Sequence, residues 1–132
     1  MRFPPEDLET ERLRLRRPRL EDAEEAFKAY SSDPKVTRYL DWLPHRSVED
    51  TASFFQQVMD AWDLRMGHRA WVVERKSDQT LMGIVGTMVH FHRVETGFAL
   101  GSRFWGNGYV AEALREVCRT AFEDERIWRV QA

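Results

Sequence analysis

One stretch constrains this chain more than any other: Gly97-Phe98-Ala99-Leu100-Gly101-Ser102-Arg103-Phe104-Trp105-Gly106-Asn107-Gly108-Tyr109-Val110-Ala111-Glu112-Ala113-Leu114. It reads as a short strand, an Arg-x-x-Gly-x-Gly turn and a helix whose first turn lies bare. The first N–H groups of a helix lack intrahelical acceptors and sit at the positive end of its dipole. Such a turn aims several backbone donors at one point, which is the geometry that binds phosphate. Two other readings stand beside it. Gly106-x-Gly108-x-x-Ala111 also fits a dinucleotide fingerprint, but it comes late, after a hairpin-like pair of strands, and Trp128 and Arg129 stand where an acid should close the next strand. A glycine pair can also serve tight geometry alone.

The rest of the chain supplies the elements around that turn. Arg12-Leu13-Arg14-Leu15-Arg16 alternates strictly, which predicts a half-buried strand with leucines inward and arginines wet, ended by Pro18. Leu20 to Tyr30 turns helical, and Asp33 caps a short second helix that Pro34 opens. Ser47-Val48-Glu49-Asp50 starts a longer helix, whose stripe of Phe55, Val58, Met59, Trp62 and Met66 runs until Gly67. Ala70 to Arg75 and Leu81 to Phe91, joined by Lys76-Ser77-Asp78-Gln79, predict a hairpin, and a third strand covers Glu95 to Leu100. After the glycine turn, Val110, Leu114, Val117, Cys118, Ala121 and Phe122 share one helical face. Ile127 to Ala132 begins a last strand. This order gives an α/β or α+β class with a mixed sheet, in a single domain over 1–132.

Composition narrows the function. With 42% hydrophobic and 12% aromatic residues, the 132-residue chain is a folded domain and not a low-complexity segment. A formal net charge of −2 gives no general pull toward nucleic acid or an anionic membrane, and the arginines between Arg12 and Arg19 read as the wet face of a strand. The single cysteine excludes an internal disulfide framework, and Cys118 reads as a small core residue. No apolar run is long enough to span a membrane. A cytoplasmic protein with neither a nucleic-acid nor a membrane partner is expected. His90 and His92 lie two apart on a strand and so on one face, but no spacing joins them and His68 to a further ligand, so no metal is expected. Glu112 reads as a first-turn acid that favours the helix N-terminus.

The run from Glu95 to Ala113 closely resembles the acetyl-CoA signature of the GNAT N-acetyltransferase superfamily. Its Trp-Gly-x-Gly-Tyr-x-x-Glu-Ala form is similar to the branch that holds the ribosomal-protein acetyltransferases RimJ and RimL. Leu8 to Arg16 followed by Glu21-Asp22-Ala23, and the segment from Asp33-Pro34 to Asp41-Trp42-Leu43-Pro44, resemble the same branch. The resemblance implies a mostly antiparallel central sheet flanked by helices. It further implies that the strand from Glu95 to Leu100 splays from the one beginning at Ile127, and that acetyl-CoA lies in the gap. The pantetheine arm would pair with the backbone of Phe98, Ala99 and Leu100. The amides of Arg103, Phe104, Trp105, Gly106, Asn107, Gly108 and Tyr109 would hold the pyrophosphate.

The implied reaction is direct attack of an acceptor amine on the thioester, with exposed strand amides stabilising the oxyanion. The acceptor is a protein N-terminus or a small amine, lodged in a groove around Tyr39 to His45 and the long helix. An amine is protonated at neutral pH, and Glu95 stands where this family often carries the base, acting through water. The plain reading of Glu95 is a solvated strand-end carboxylate. Members of the family continue past the Ile127 strand with a helix and a hairpin that often carries a tyrosine acid, so a shortened form is expected here, its open sheet edge completed by a partner such as a second copy. A non-catalytic module that binds CoA or a partner chain is the alternative function.

Overall fold

Leu13 and Leu15 are wholly buried, as strict alternation requires, and the strand that carries them sits second in a six-stranded sheet. The computed structural model describes residues 2–38 and 43–132. The strands are β1 (Asp7–Glu9), β2 (Leu13–Arg16), β3 (His68–Arg75), β4 (Leu81–His90), β5 (Arg93–Leu100) and β6 (Arg129–Gln131), in that order across the sheet. Neighbours pair antiparallel from β1 through β5, and β6 joins β5 in parallel. The expected mixed, mostly antiparallel sheet is what forms. β1 was not legible: three residues with one buried side chain, Leu8, give no period to read.

Helical elements cover the sheet. A 3-10 turn at Leu20–Asp22 runs into α1 (Ala23–Ala26) and then a π-helical turn at Phe27–Ser31. α2 (Pro34–Thr37) begins as expected, with the Asp33 carboxylate accepting from the Lys35 N–H at 2.9 Å. α3 (Val48–Asp63) is capped by Ser47, whose hydroxyl accepts from the Asp50 N–H. It stops four residues before Gly67, because Arg65 takes the left-handed turn at φ 53°. α4 (Tyr109–Phe122) buries Ala113, Val117 and Ala121 against the sheet, while its last residue, Phe122, points outward and is 55% exposed. Trp71, Tyr30, Phe55, Val72, Val94 and Val117 are among the fully buried side chains of the core.

The reading of Arg12 to Arg19 as a wet face needs one correction. Arg16 is only 8% exposed and makes two hydrogen bonds to Asp22, at 2.8 and 2.9 Å, plus one to Glu74 at 3.1 Å. Burial pushes the Asp22 carboxyl up, but the Arg16 guanidinium and the Arg19 N–H outweigh it and hold the group below the usual carboxylate range. Alternation therefore marks the inward leucines correctly while saying nothing about an arginine that finds a buried partner. Arg16→Met is expected to cost about 3–5 kcal/mol in urea unfolding, because Asp22 keeps a buried charge without its partner. Arg14→Met, which breaks the exposed pair with Asp7, is expected to cost under about 1 kcal/mol.

Candidate active site

The glycine turn is held in shape from the far edge of the sheet. Glu112, in the first turn of α4, accepts hydrogen bonds from the Thr10 hydroxyl, the Arg12 N–H at 3.0 Å and Arg12 Nε at 2.7 Å. Arg12 also donates to the Asn107 carbonyl at 3.0 Å, and its guanidinium lies 4.4 Å from the centre of the Tyr109 ring. Both glycines of the turn take positive φ, 82° at Gly106 and 78° at Gly108. Gly108 caps α4 without any side-chain acceptor. Among the described residues, no N–H from Gly106 to Ala111 meets an acceptor. The turn therefore presents a run of unspent donors at a helix N-terminus, with Arg103 exposed beside it. Arg103 lies over the Phe104 ring at 4.7 Å. A groove of about 300 Å³ opens here, between Phe98 and Leu100 on one side and Trp105, Gly108 and Tyr109 on the other.

The register of β4 and β5 decides which strand groups face that groove. The Gly101 N–H donates to the Met82 carbonyl at 2.8 Å, and the ladder pairs Gly83 with Leu100, Ile84 with Ala99 and Val85 with Phe98. In an antiparallel ladder the hydrogen-bonded pairs alternate. Ala99 and Gly97 thus spend their backbone on β4, whereas Phe98 and Leu100 turn theirs to the opposite edge. β6 pairs with Arg93 to Glu95, and among the described residues no strand lies against that edge at Phe98 and Leu100. The Leu100 carbonyl is already taken by the Trp105 indole N–H at 2.9 Å. The expected backbone trio of Phe98, Ala99 and Leu100 is thereby sorted: Phe98 offers both groups, Leu100 only its N–H, and Ala99 faces inward.

Side chains on β5 alternate faces too. Glu95 and Gly97 point away from α4 into a second cavity of about 540 Å³, walled by Phe54, Val58 and Ala61 of α3. Glu95 Oε1 accepts from Gln131 Nε2 at 3.2 Å and lies 3.4 Å from the Arg93 guanidinium, while His90 Nε2 is 4.0 Å from Oε2. The carboxylate is 44% exposed and is turned into the cavity by the pleat. Of the expected Tyr39–His45 groove, Tyr39, Leu40, Asp41 and Trp42 lie outside the described residues. His45 is tied by its Nδ1 to the Thr51 hydroxyl at 2.7 Å, which in turn bonds Ser31 at 2.8 Å. Burial lowers the His45 pKa, opposed by the Asp50 charge.

The histidine pair expected on one strand face does not form. His90 ends β4, but His92 lies past the turn at Phe91, stacked on Trp128 at 4.0 Å, with Nδ1 on the Arg126 carbonyl at 2.8 Å. Cys118 is half-buried on α4. The residue that sequence reasoning missed is Arg12. Its only signal was its place at the start of an alternating strand, and its contact with Glu112 crosses nearly the whole chain.

Burial pushes the Glu112 carboxyl up, but its three hydrogen bonds from Thr10 and Arg12 more than offset this and hold the pKa below 4.5. A carboxyl lowered on folding adds stability that is fully present above its unfolded value and is lost as pH falls through its folded value. Wild-type stability is therefore expected to drop as pH falls below about 4.5, in part through this group. Glu112→Gln should show a smaller drop over the same window in denaturant titrations.

Comparison with known proteins places these features. A family model described as an acetyltransferase (GNAT) domain matches residues 12–132. An uncharacterised N-acetyltransferase, p20, of Bacillus licheniformis is 30% identical over 129 residues, covering 96% of this chain and 72% of its own. A structure from Vibrio cholerae assigned as a ribosomal-protein-serine acetyltransferase superposes with a TM-score of 0.83 at 25% identity, over 96% of this chain and 72% of that one. The microcin C7 self-immunity acetyltransferase MccE, solved with acetyl-CoA and AMP, shares the fold at a TM-score of 0.79 and 20% identity, over 92% and 68% of the two chains. With a glycine turn of unspent amides, an open β5 edge and a family match across nearly all its length, this chain belongs to the GNAT acetyltransferase domain family and is an N-acetyltransferase.

Proposed function

We propose that the chain moves the acetyl group of acetyl-CoA onto a primary amine by direct attack in a ternary complex, in the manner of the RimJ/RimL-like branch. The observation that carries this reading is the run of N–H groups without acceptors from Gly106 to Ala111, set at the end of the open β5 edge. These donors suit a pyrophosphate, with Arg103 adding positive charge. The Phe98 N–H and carbonyl suit the amides of a pantetheine arm laid along the edge, and the Leu100 N–H extends that row. The N–H groups of Phe104 and Trp105 are spent on the Gly101 and Ser102 carbonyls, so these two residues shape the turn and do not donate to the ligand; the Asn107 side-chain amide donates to their carbonyls, at 3.1 and 3.3 Å, while its own N–H stays in the run of donors. Ala99 contributes a wall and not a backbone contact. MccE, held with acetyl-CoA, supports the choice of cosubstrate.

Bound acetyl-CoA supplies an activated thioester carbonyl. The protein must bring an uncharged amine to it, and an α-amine or lysine titrates at about 7.7–8.0 or 10.4. Glu95 takes that proton through a water in the larger cavity. Its Oε1 is occupied by Gln131 and Arg93, which leaves Oε2 as the accepting oxygen. An open-edge N–H on β5 polarises the carbonyl. The acceptor is a polypeptide N-terminus or a small amine, and the ribosomal-protein-serine acetyltransferase neighbour favours the first.

Calorimetric titration should show acetyl-CoA binding to the wild type. Gly108→Val, which forces a β-branched residue to φ 78°, should weaken it at least tenfold. Glu95→Gln should keep acetyl-CoA affinity and lower kcat on an amine by about 100-fold. Binding without turnover on any amine would make the domain a CoA-binding module, and an absence of binding would sink the reading altogether.

A further inference from the structure

Four glycines lie in or at the end of the β4–β5 pair, and they divide cleanly by what a side chain would meet. A Cβ on Gly83 would sit 2.1 Å from the Ala99 carbonyl oxygen, and one on Gly101 would sit 2.4 Å from the Ala29 carbonyl oxygen. Those two are required by the fold. A Cβ on Gly86 or on Gly97 would meet nothing within 4 Å. Neither has a positive φ. Glycine inside a strand weakens it and often marks a bulge, a tight bend or a close approach by a ligand or another backbone; the register is unbroken at Gly86 and Gly97, and no backbone crowds either position. Gly86 and Gly97 face each other in register, and Ala70 on β3 stands next to Gly86. Residues opposed across an antiparallel ladder share a face. The three small residues thus make a trough across the sheet, starting at the open edge and running inward.

The trough floors the larger cavity. The next row on the same face is His68, Met88 and Glu95, and Phe54 and Val58 of α3 close the top. The polar group proposed to receive the amine proton therefore stands at the edge end of the trough, and toward β3 the trough runs over Ala70 beneath Phe54, Val58 and Ala61, with His68 and Arg69 at its side. A volume of about 540 Å³ is far more than an acetyl group fills. Resting on the acetyl-transfer reading above, we propose that this trough selects acceptors carrying an apolar substituent on the carbon next to the amine, such as a polypeptide whose first residue is Leu, Met or Phe. The amine lies by Glu95, and the substituent runs over Gly97 and Gly86 toward Ala70.

The test uses N-acetyl-leucinamide and N-acetylglycinamide as product-like probes, titrated into the full chain in the presence of CoA. The wild type is expected to bind the leucyl probe at least tenfold more tightly. Gly86→Ala with Gly97→Ala should cut that preference several-fold while unfolding temperature and acetyl-CoA affinity stay at wild-type values, since the added methyls enter open space. Gly86→Ala alone should show the same effect in smaller measure and serves if the double variant does not fold. Equal binding of the two probes by the wild type overturns the proposal, as does a preference that survives the methyls. A variant that instead loses use of propionyl-CoA relative to acetyl-CoA, with acceptor preference intact, also overturns it, because the trough then holds the acyl chain. Probe binding needs no turnover, so an inactive wild type that still prefers the leucyl probe would count against the acetyl-transfer reading alone.

Discussion

The carboxylate of Glu112 joins the two ends of this structure. It accepts from Thr10 and Arg12 at the β1–β2 turn while belonging to the first turn of α4. Gly108 caps α4 without a side chain, so this tie supplies the side-chain hydrogen bonds that hold the first turn of the helix. Arg12 carries the constraint one step further, through the Asn107 carbonyl and the Tyr109 ring. A turn rich in glycine is cheap to bend and costly to hold, since glycine loses the most backbone freedom on folding. The arginine and the glutamate supply from outside the rigidity that the turn lacks. The tie also uses the carboxylate in a place where a free negative charge would repel phosphate. Neutralised by Arg12 and fully hydrogen-bonded, Glu112 stabilises the helix start while the unspent N–H groups keep their positive field.

How much of this was legible in the sequence follows from which contacts are local. Period-2 alternation placed Leu13 and Leu15, and the Asp33-Pro34 and Ser47 caps set helix starts, because each signal lies within a few residues of its effect. The glycine turn was legible for the same reason. Long-range partners were not. Arg16 looked like its exposed neighbour Arg14 until Asp22 and Glu74 closed on it, and Arg12 looked like both. The end of α3 went to Arg65 and not Gly67: Arg65 takes the left-handed conformation despite its Cβ, a choice no residue type in the sequence advertises. His92 left the strand because the β4–β5 turn falls at Phe91, a positive-φ residue without the Asn or Gly that usually advertises such a turn.

Of the candidate site, the donors were legible and their division of labour was not. Naming Phe98, Ala99 and Leu100 together requires only the strand; deciding which of them faces the edge requires the register. One hydrogen bond, from the Gly101 N–H to the Met82 carbonyl, sets the parity of the whole ladder. Trp105 shows the same limit. Its place in the motif suggests a ligand contact, whereas its indole N–H closes the Leu100 carbonyl and ends the open edge at the residue where the turn begins. The motif thus carries a positioning device alongside its donors.

In the proposed reaction, the two periodicities of β5 let one short strand serve two ligands. Its backbone alternates between β4 and the open edge, and its side chains alternate between the α4 face and the α3 face. Phe98 and Leu100 present both edge backbone and side chain to the groove at the glycine turn. Glu95 and Gly97 present side-chain positions to the opposite cavity. In the proposed reaction the cosubstrate meets one parity and the acceptor the other, so the two cannot compete for the same atoms. In that reaction they meet across the β5 edge beyond Glu95. That arrangement needs no covalent relay through the protein. In the proposed reaction the strand brings the amine directly to the thioester, and its part is to position the two.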